Sequence, residues 1–95
     1  MRRRARTDGN HRAVIDALRQ IPGVSVADTS RLGQGFPDCV VGYRGMSYLL
    51  EIKDPAQPPS KRRLTPDEQA WFDRWRGHAE VVETIEQALK AIGVN

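Results

Sequence analysis

Asp38, Glu51 and Lys53 are the residues of this chain whose types and spacing could do chemistry. They bracket the mostly apolar run FPDCVVGYRGMSYLLEIKD, residues 36–54, with Asp38 near its start and Glu51, Lys53 and Asp54 at its end. Side chains alternate along a strand, so Ser47, Leu49, Glu51 and Lys53 share one face of MSYLLEIKD while Met46, Tyr48, Leu50 and Ile52 share the other. One face is apolar throughout. The second turns charged only at Glu51 and Lys53, so the strand is expected to be buried on both sides until its carboxyl end. Arg44-Gly45 reads as a tight turn joining DCVVGY to this strand. In such a hairpin the start of one strand lies beside the end of the next, which makes Asp38 and Glu51 neighbours.

Two carboxylates ~5 Å apart repel by about 3 kcal/mol at an effective dielectric constant of about 20. Lys53 offsets part of this, and a divalent cation offsets more, since Mg²⁺ favours one or two carboxylates and several waters. Such an ion polarises a phosphoryl oxygen and lowers the pKa of a bound water, which is the chemistry of phosphodiester hydrolysis. Lys53, one side-chain repeat from Glu51, could orient the attacking water or stabilise charge in the transition state. Taken singly, Pro37-Asp38 reads as a turn and Glu-x-Lys as an exposed cross-strand pair. Their conjunction with the loop RLGQGFP, whose two glycines allow backbone close to whatever binds there, and with a buried strand reads as a site.

The remaining elements must hold these residues in place. TDGNHRAVIDALRQIPG places Val14, Leu18 and Ile21 at helical spacing, with Thr7 or Asp8 as cap and Pro22-Gly23 as the stop. VSVADT alternates as a short strand. DPAQPPSKRR, with its three prolines, reads as an exposed loop, neither strand nor helix. LTPDEQAWFDRWRG carries a full helix start, with Thr65 as N-cap, Pro66 in the first position and Glu68 as capping-box partner; Trp71, Phe72 and Trp75 form its expected buried face and Gly77 its end. HAEVVE reads as a strand and TIEQALKAIG as a last short helix, capped by Thr84 with Gln87 and stopped by Gly93. The order is α-β-β-β-α-β with a short C-terminal helix. It predicts an α/β sandwich with a mixed central sheet, the hairpin antiparallel and the later crossover parallel.

Ninety-five residues make one small domain, so any site should be an open groove. Fifteen Lys and Arg against twelve Asp and Glu leave a net charge of +3, concentrated in two clusters. Arg2, Arg3, Arg4 and Arg6 form a basic arm over residues 1–7, ahead of a single domain over residues 8–95; Lys61, Arg62 and Arg63 form the second. Both could neutralise phosphates, and both could equally be solvated charge runs. The lone Cys39 excludes an internal disulfide and a cysteine zinc cage and fits a reducing compartment. With no apolar run long enough for a membrane span and no signal-peptide pattern, an intracellular, soluble protein without membrane contact is expected. Neither a recognition-helix pattern nor a zinc finger speaks for sequence-specific readout.

At Pro37-Asp38 and Glu51-Ile52-Lys53 the sequence resembles the PD-(D/E)XK nuclease superfamily, whose restriction-endonuclease-like core has the same element order. Within it the chain is similar to the small VRR-NUC domains of phages and bacteria, through GFPD, a hydrophobic strand ending in EIK, and LTPDEQ, in that order. The resemblance spans roughly residues 8 to 93. It implies metal-dependent DNA cleavage in the cytoplasm of a bacterial or phage-infected cell. Asp38, Glu51 and the Ile52 carbonyl would be Mg²⁺ or Mn²⁺ ligands, Lys53 the catalytic lysine, and Gln69 the site glutamine, although read alone Gln69 is a polar first-turn residue facing water. It also implies a Holliday-junction-like or other branched substrate, a homodimer and no small organic cofactor.

One departure stands out. Where the family has a Glu facing the site from its first helix, this helix offers Asn10 or Asp16. Asn10 lies four residues before Val14 and eight before Leu18, on the inward stripe, and so takes that position; Asp16 lies off the stripe and reads as solvated. Asn10 brings a carbonyl oxygen to a metal but no charge. His11 reads as a surface residue. Two other classes compete: a catalytically weak or silent module binding DNA or a replication or repair partner, and a small regulatory protein whose acids merely pair with Lys53 and Arg44.

Overall fold

The computed structural model describes residues 9–94, so the basic arm (Arg2, Arg3, Arg4 and Arg6) and the candidate caps Thr7 and Asp8 lie outside the described residues. The first helix, α1 (Gly9–Arg19), buries His11, Val14, Ile15 and Leu18, an inward stripe at i, i+3, i+4 and i+7 that is apolar after His11. It ends three residues before Pro22, and the chain turns through Gly23 at φ 83° into β1 (Val24–Asp28). Two antiparallel strands follow, β2 (Cys39–Tyr43) and β3 (Met46–Ile52). Tyr43 pairs with Met46 across Arg44 and Gly45, whose φ values of 52° and 80° give the left-handed two-residue turn that matches strand twist.

Burial along β3 runs the opposite way to the expectation. Met46 is 58% exposed, while Leu50 is fully covered and Glu51 retains only 3% of its surface. The charged end is the deep end, because the strand's start projects with the hairpin whereas its carboxyl end lies under α1 and beside the last strand.

The segment after β3 corrects a second expectation. A one-turn helix, α2 (Pro59–Arg62), forms inside the proline-rich stretch, since Pro59 takes the first helical position, where a missing N–H costs nothing. The next helix, α3 (Pro66–Arg74), has the expected capping box at Thr65 and Glu68. It ends at Trp75 in extended conformation rather than at Gly77, and it buries no residue completely. Trp71 and Phe72 are half-buried and Trp75 is 40% exposed, so the aromatic face is a partly open cluster and not a core.

The crossover returns the chain parallel to β3 as β4 (Ala79–Val82), with Leu49 beside Ala79 and Ile52 beside Val82. The sheet order is β1-β2-β3-β4, mixed as expected. The last helix, α4 (Ile85–Ile92), stops at Gly93 in the left-handed region, φ 87°, with the Val94 N–H donating to the Leu89 carbonyl at 2.9 Å. Helices α1 and α4 pack side by side on one face of the sheet, over a core that includes Val14, Leu18, Val41, Leu50, Val82 and Ile92. Cys39 sits in this core, and burial pushes its thiol up to about 12, which makes it inert as a nucleophile. Among the described residues no helix is long and apolar enough to cross a membrane.

Candidate active site

The hairpin register sets the first two site residues against each other. Cys39 pairs with Leu50, so Asp38, one residue before β2, faces Glu51. Asp38 is fixed twice: its carbonyl accepts from the Thr29 N–H at 2.8 Å, and its Oδ2 accepts from the Ile52 N–H at 2.8 Å. Glu51 Oε2 lies 3.3 Å from Lys53 Nζ, and Glu51 Oε1 is buried without any hydrogen-bond partner. Lys53 Nζ donates to Glu68 Oε1 at 2.8 Å. Asp38, Glu51, Ile52, Lys53, Glu68 and His11 together line an open cleft of about 340 Å³ at the carboxyl end of β3.

Charge in this cleft is unbalanced. Burial first, and then the negative charges of Asp38 and Glu68, push the Glu51 carboxyl up to about 9 despite Lys53 beside it. Burial also raises Asp38, more than the Ile52 N–H lowers it. Glu68 is held below the usual carboxylate range: burial opposes this, but the hydrogen bond and charge of Lys53 and the hydrogen bond from the Thr65 N–H outweigh it. Burial works against the charged form of Lys53 too, yet Glu68 and Glu51 more than offset it, and the ammonium is stabilised above its ordinary value. One half-buried ammonium, paired with Glu51 and Glu68, thus stands among three carboxyl groups.

Glu68 reaches the cleft because α3 docks on the glycine loop. Gly33, Gln34 and Gly35 all have positive φ, 73°, 57° and 84°. A Cβ on Gly35 would come within 2.6 Å of the Asp67 carbonyl carbon and 2.9 Å of the Glu68 nitrogen. The body that approaches this glycine is therefore the first turn of the protein's own helix, not only a ligand. Phe36 adds an edge-to-face contact with Trp71, centroids 5.4 Å apart.

Several expected site residues lie elsewhere. Gln69 is exposed and donates to Asp73 Oδ1 at 2.9 Å along its own helix; Glu68, one residue earlier, faces the cleft. Asn10 does not line the cleft. Its Nδ2 donates to the Lys53 carbonyl at 2.7 Å and to the Glu83 carbonyl at 3.1 Å. His11 is not a surface residue: it is 5% exposed, lines the cleft, and places Nε2 3.3 Å from Asp28 Oδ2. Asp28 is oriented in turn by the Ser30 N–H at 3.0 Å and the Ser30 hydroxyl at 2.7 Å. Burial would raise Asp28, but Ser30 and His11 outweigh it and hold this carboxyl low. Asp16 is solvent-exposed, as expected.

The second basic cluster divides. Lys61 lines the cleft and Arg63 is exposed, whereas Arg62 is spent internally, donating to the Gln57 carbonyl at 2.9 Å and reaching Glu83 Oε1 at 3.5 Å. The signals for the missed residues were present. His11 precedes Val14, Ile15 and Leu18 by three, four and seven positions, the helical inward stripe, and the Thr65-x-x-Glu68 box fixes the direction of the Glu68 carboxylate.

The donor set suits a hard divalent cation. A buried carboxylate oxygen without a partner, a second carboxylate opposite it and a raised pKa at both mark a place where positive charge is wanted. No group of three or more His, Cys, Asp or Glu side chains forms a ready metal cage among the described residues. Two carboxylates with water is the way Mg²⁺ is commonly held.

No family model and no curated protein matches this chain. A solved structure of a VRR_NUC domain does: it superposes with a TM-score of 0.56 at 28% identity, covering 85% of this chain and 84% of the other. The mixed four-stranded sheet with its helices is a restriction-endonuclease-like α/β fold. More narrowly, the chain is a VRR-NUC-like nuclease domain.

Proposed function

We propose that this domain is a Mg²⁺- or Mn²⁺-dependent DNA endonuclease acting on branched, Holliday-junction-like DNA as a homodimer inside a bacterial or phage-infected cell. The observation that carries the reading is the buried, partnerless Glu51 Oε1 beside Asp38 and Lys53. Asp38, Glu51 and the Ile52 carbonyl would hold the metal, which supplies Lewis acidity and a water of lowered pKa. Asp54, Asp67 and Glu68 add to the negative charge of the cleft, so a phosphodiester can approach only where cations intervene. Lys53 keeps its proton, since Glu68 and Glu51 stabilise the ammonium; it is a poor general base and acts instead by orienting water and countering charge on the phosphoryl oxygens. Lys61 stands at the rim to meet a neighbouring phosphate, and Arg63 and the arm residues Arg3, Arg4 and Arg6 extend that contact.

The silent-module alternative drew on Asn10 standing where a charged ligand belongs. Asn10 is committed to two backbone carbonyls outside the cleft, so its identity says nothing about the donor set. The test is cleavage of end-labelled four-way junction, flap, duplex and single-stranded DNA with Mg²⁺ or Mn²⁺, comparing the protein with Lys53→Ala and Glu51→Gln. Metal-dependent cutting is expected to fall about 10²- to 10³-fold in both variants, the scale of a lost electrostatic group. DNA binding without cutting in either metal would sink the enzyme, and preference for unbranched duplex would sink the junction reading.

A further inference from the structure

We infer that Asn10 is a positioning residue: its carboxamide clamps the backbone at Lys53 to the end of β4 and thereby fixes where the Lys53 ammonium enters the cleft. The inference rests on the nuclease reading above and assigns Asn10 a role opposite to that of a ligand. A carboxamide nitrogen carries two N–H donors, and both are used here, one on the Lys53 carbonyl at 2.7 Å and one on the Glu83 carbonyl at 3.1 Å. Both partners are acceptors only. The nitrogen end must face them, and a Glu or Asp carboxylate at this position would set oxygen against oxygen.

Lys53 needs such a clamp because of where it stands. Strand β3 ends at Ile52, and the exposed loop over residues 55–58 follows almost at once. The Lys53 N–H donates to the Val82 carbonyl at 2.9 Å, so β4 holds the amide side of the residue and α1, through Asn10, holds the carbonyl side. Strand ends with few such bonds open locally before the rest of the fold. From this backbone the side chain spans four rotatable bonds to place Nζ 3.3 Å from Glu51 Oε2 and 2.8 Å from Glu68 Oε1. A shift of ~1 Å at its root costs on the order of 10²-fold in rate for a group that must meet reacting atoms. Asn10 itself opens onto a different groove, beside Ala13, Ala17 and Pro55, and so acts from outside the cleft.

The test uses the full chain with Asn10→Ala and Asn10→Asp. Amide hydrogen exchange is read at Lys53 and at Leu50, the latter reporting global unfolding from the centre of the sheet. Lys53 is expected to accelerate about tenfold or more beyond Leu50 in both variants, the signature of a local opening. Mn²⁺ affinity should stay unchanged, and on a DNA that the wild type cuts, kcat should fall about 10- to 100-fold with KM unchanged. Equal acceleration at the two amides would make Asn10 merely structural and overturn the inference. Weaker Mn²⁺ binding in both variants without faster exchange at Lys53 would make it a ligand, with the same consequence. A wild-type protein that cuts none of the DNAs fails the nuclease reading instead, and amide exchange then decides the clamp by itself.

Discussion

Helices α3 and α4 begin alike and are held by opposite means. Each has a threonine N-cap whose hydroxyl accepts from the backbone three residues on, Thr65 from the Glu68 N–H at 3.2 Å and Thr84 from the Gln87 N–H at 3.1 Å. In each the third residue reaches back, Glu68 to the Thr65 N–H at 2.8 Å and Gln87 to the Glu83 N–H at 2.7 Å. Beyond the cap they part. Helix α4 drives Ala88 and Ile92 into the core and, among the described residues, makes no polar contact with the cleft, whereas α3 buries nothing completely and is located by Gly35, Phe36 and the Glu68–Lys53 pair. Apolar burial fixes α4 whatever the protonation state. The position of α3, and with it the geometry around Lys53, depends on a charge balance that pH and metal can change.

The largest effect expected from this difference is on stability against pH without metal. Folding raises the Glu51 pKa from 4.5 to about 9, so the native state keeps a proton that the unfolded chain releases between those values. The stability this contributes is whole below about 4.5 and is lost as pH rises through about 9, at up to about 1.4 kcal/mol per pH unit. Asp38 shifts in the same direction, while the lowered Glu68 and Asp28 act only below the ordinary carboxylate range. Urea unfolding at pH 5, 7 and 9 should show the decline, Glu51→Gln should flatten it, and Mg²⁺ should restore stability most at pH 9. A flat wild-type profile would mean that the cleft carboxylates are far better solvated than their burial indicates.

Next in size is a pair of glycine substitutions. Gly35 and Gly93 have nearly the same φ, 84° and 87°, so each pays backbone strain when replaced by Ala. A Cβ at Gly93 meets nothing within 4 Å, whereas one at Gly35 runs into the first turn of α3. Gly93→Ala should cost about 1 kcal/mol, strain alone, while Gly35→Ala should cost about 2–4 kcal/mol, strain plus overpacking. Only the second should also reduce cleavage, because it pushes Glu68 away from Lys53. Equal losses in thermal denaturation would mean that α3 adapts freely and is not located by this contact.

What could be read from sequence divides along the same line. The Arg44-Gly45 turn, the facing of Asp38 and Glu51, the Thr65 box and the stop at Gly93 are local, set by turn chemistry and a period of two, and all are present in the fold. Two residues expected to face the cleft are each displaced by one position on a helix: His11 rather than Asn10, and Glu68 rather than Gln69, line it. One residue on a helix is a rotation of ~100°. Both Asn10 and His11 sit at spacings compatible with Val14 and Leu18, and only the docking of α1 against β3 and β4 decides which faces the cleft and which faces the strand ends. For α3 the deciding contact is Gly35 against Asp67, formed between segments over thirty residues apart. The helix's own aromatic pattern suggested a buried face that the fold leaves half open.

The smallest effect is the sharpest test of the comparison, because the two caps are chemically matched. Thr65→Ala and Thr84→Ala each remove one hydroxyl that accepts a hydrogen bond from the third backbone N–H, and each should lower stability by about 1 kcal/mol. Were the two helices equivalent, activity would follow stability and change little in either. In α3, however, Glu68 Oε1 accepts from both the Thr65 N–H and Lys53 Nζ, so fraying the first turn loosens the group that holds the lysine. In α4 the corresponding Gln87 touches no cleft residue; its bond goes to Glu83, and α4 remains anchored by Ala88 and Ile92. Thr65→Ala should therefore reduce kcat several-fold, while Thr84→Ala, equally destabilised by urea titration, should leave kcat at the wild-type value. Equal kcat in the two variants would show that Lys53 is held by Glu51 and its own backbone alone, and that the α3 cap serves only its helix.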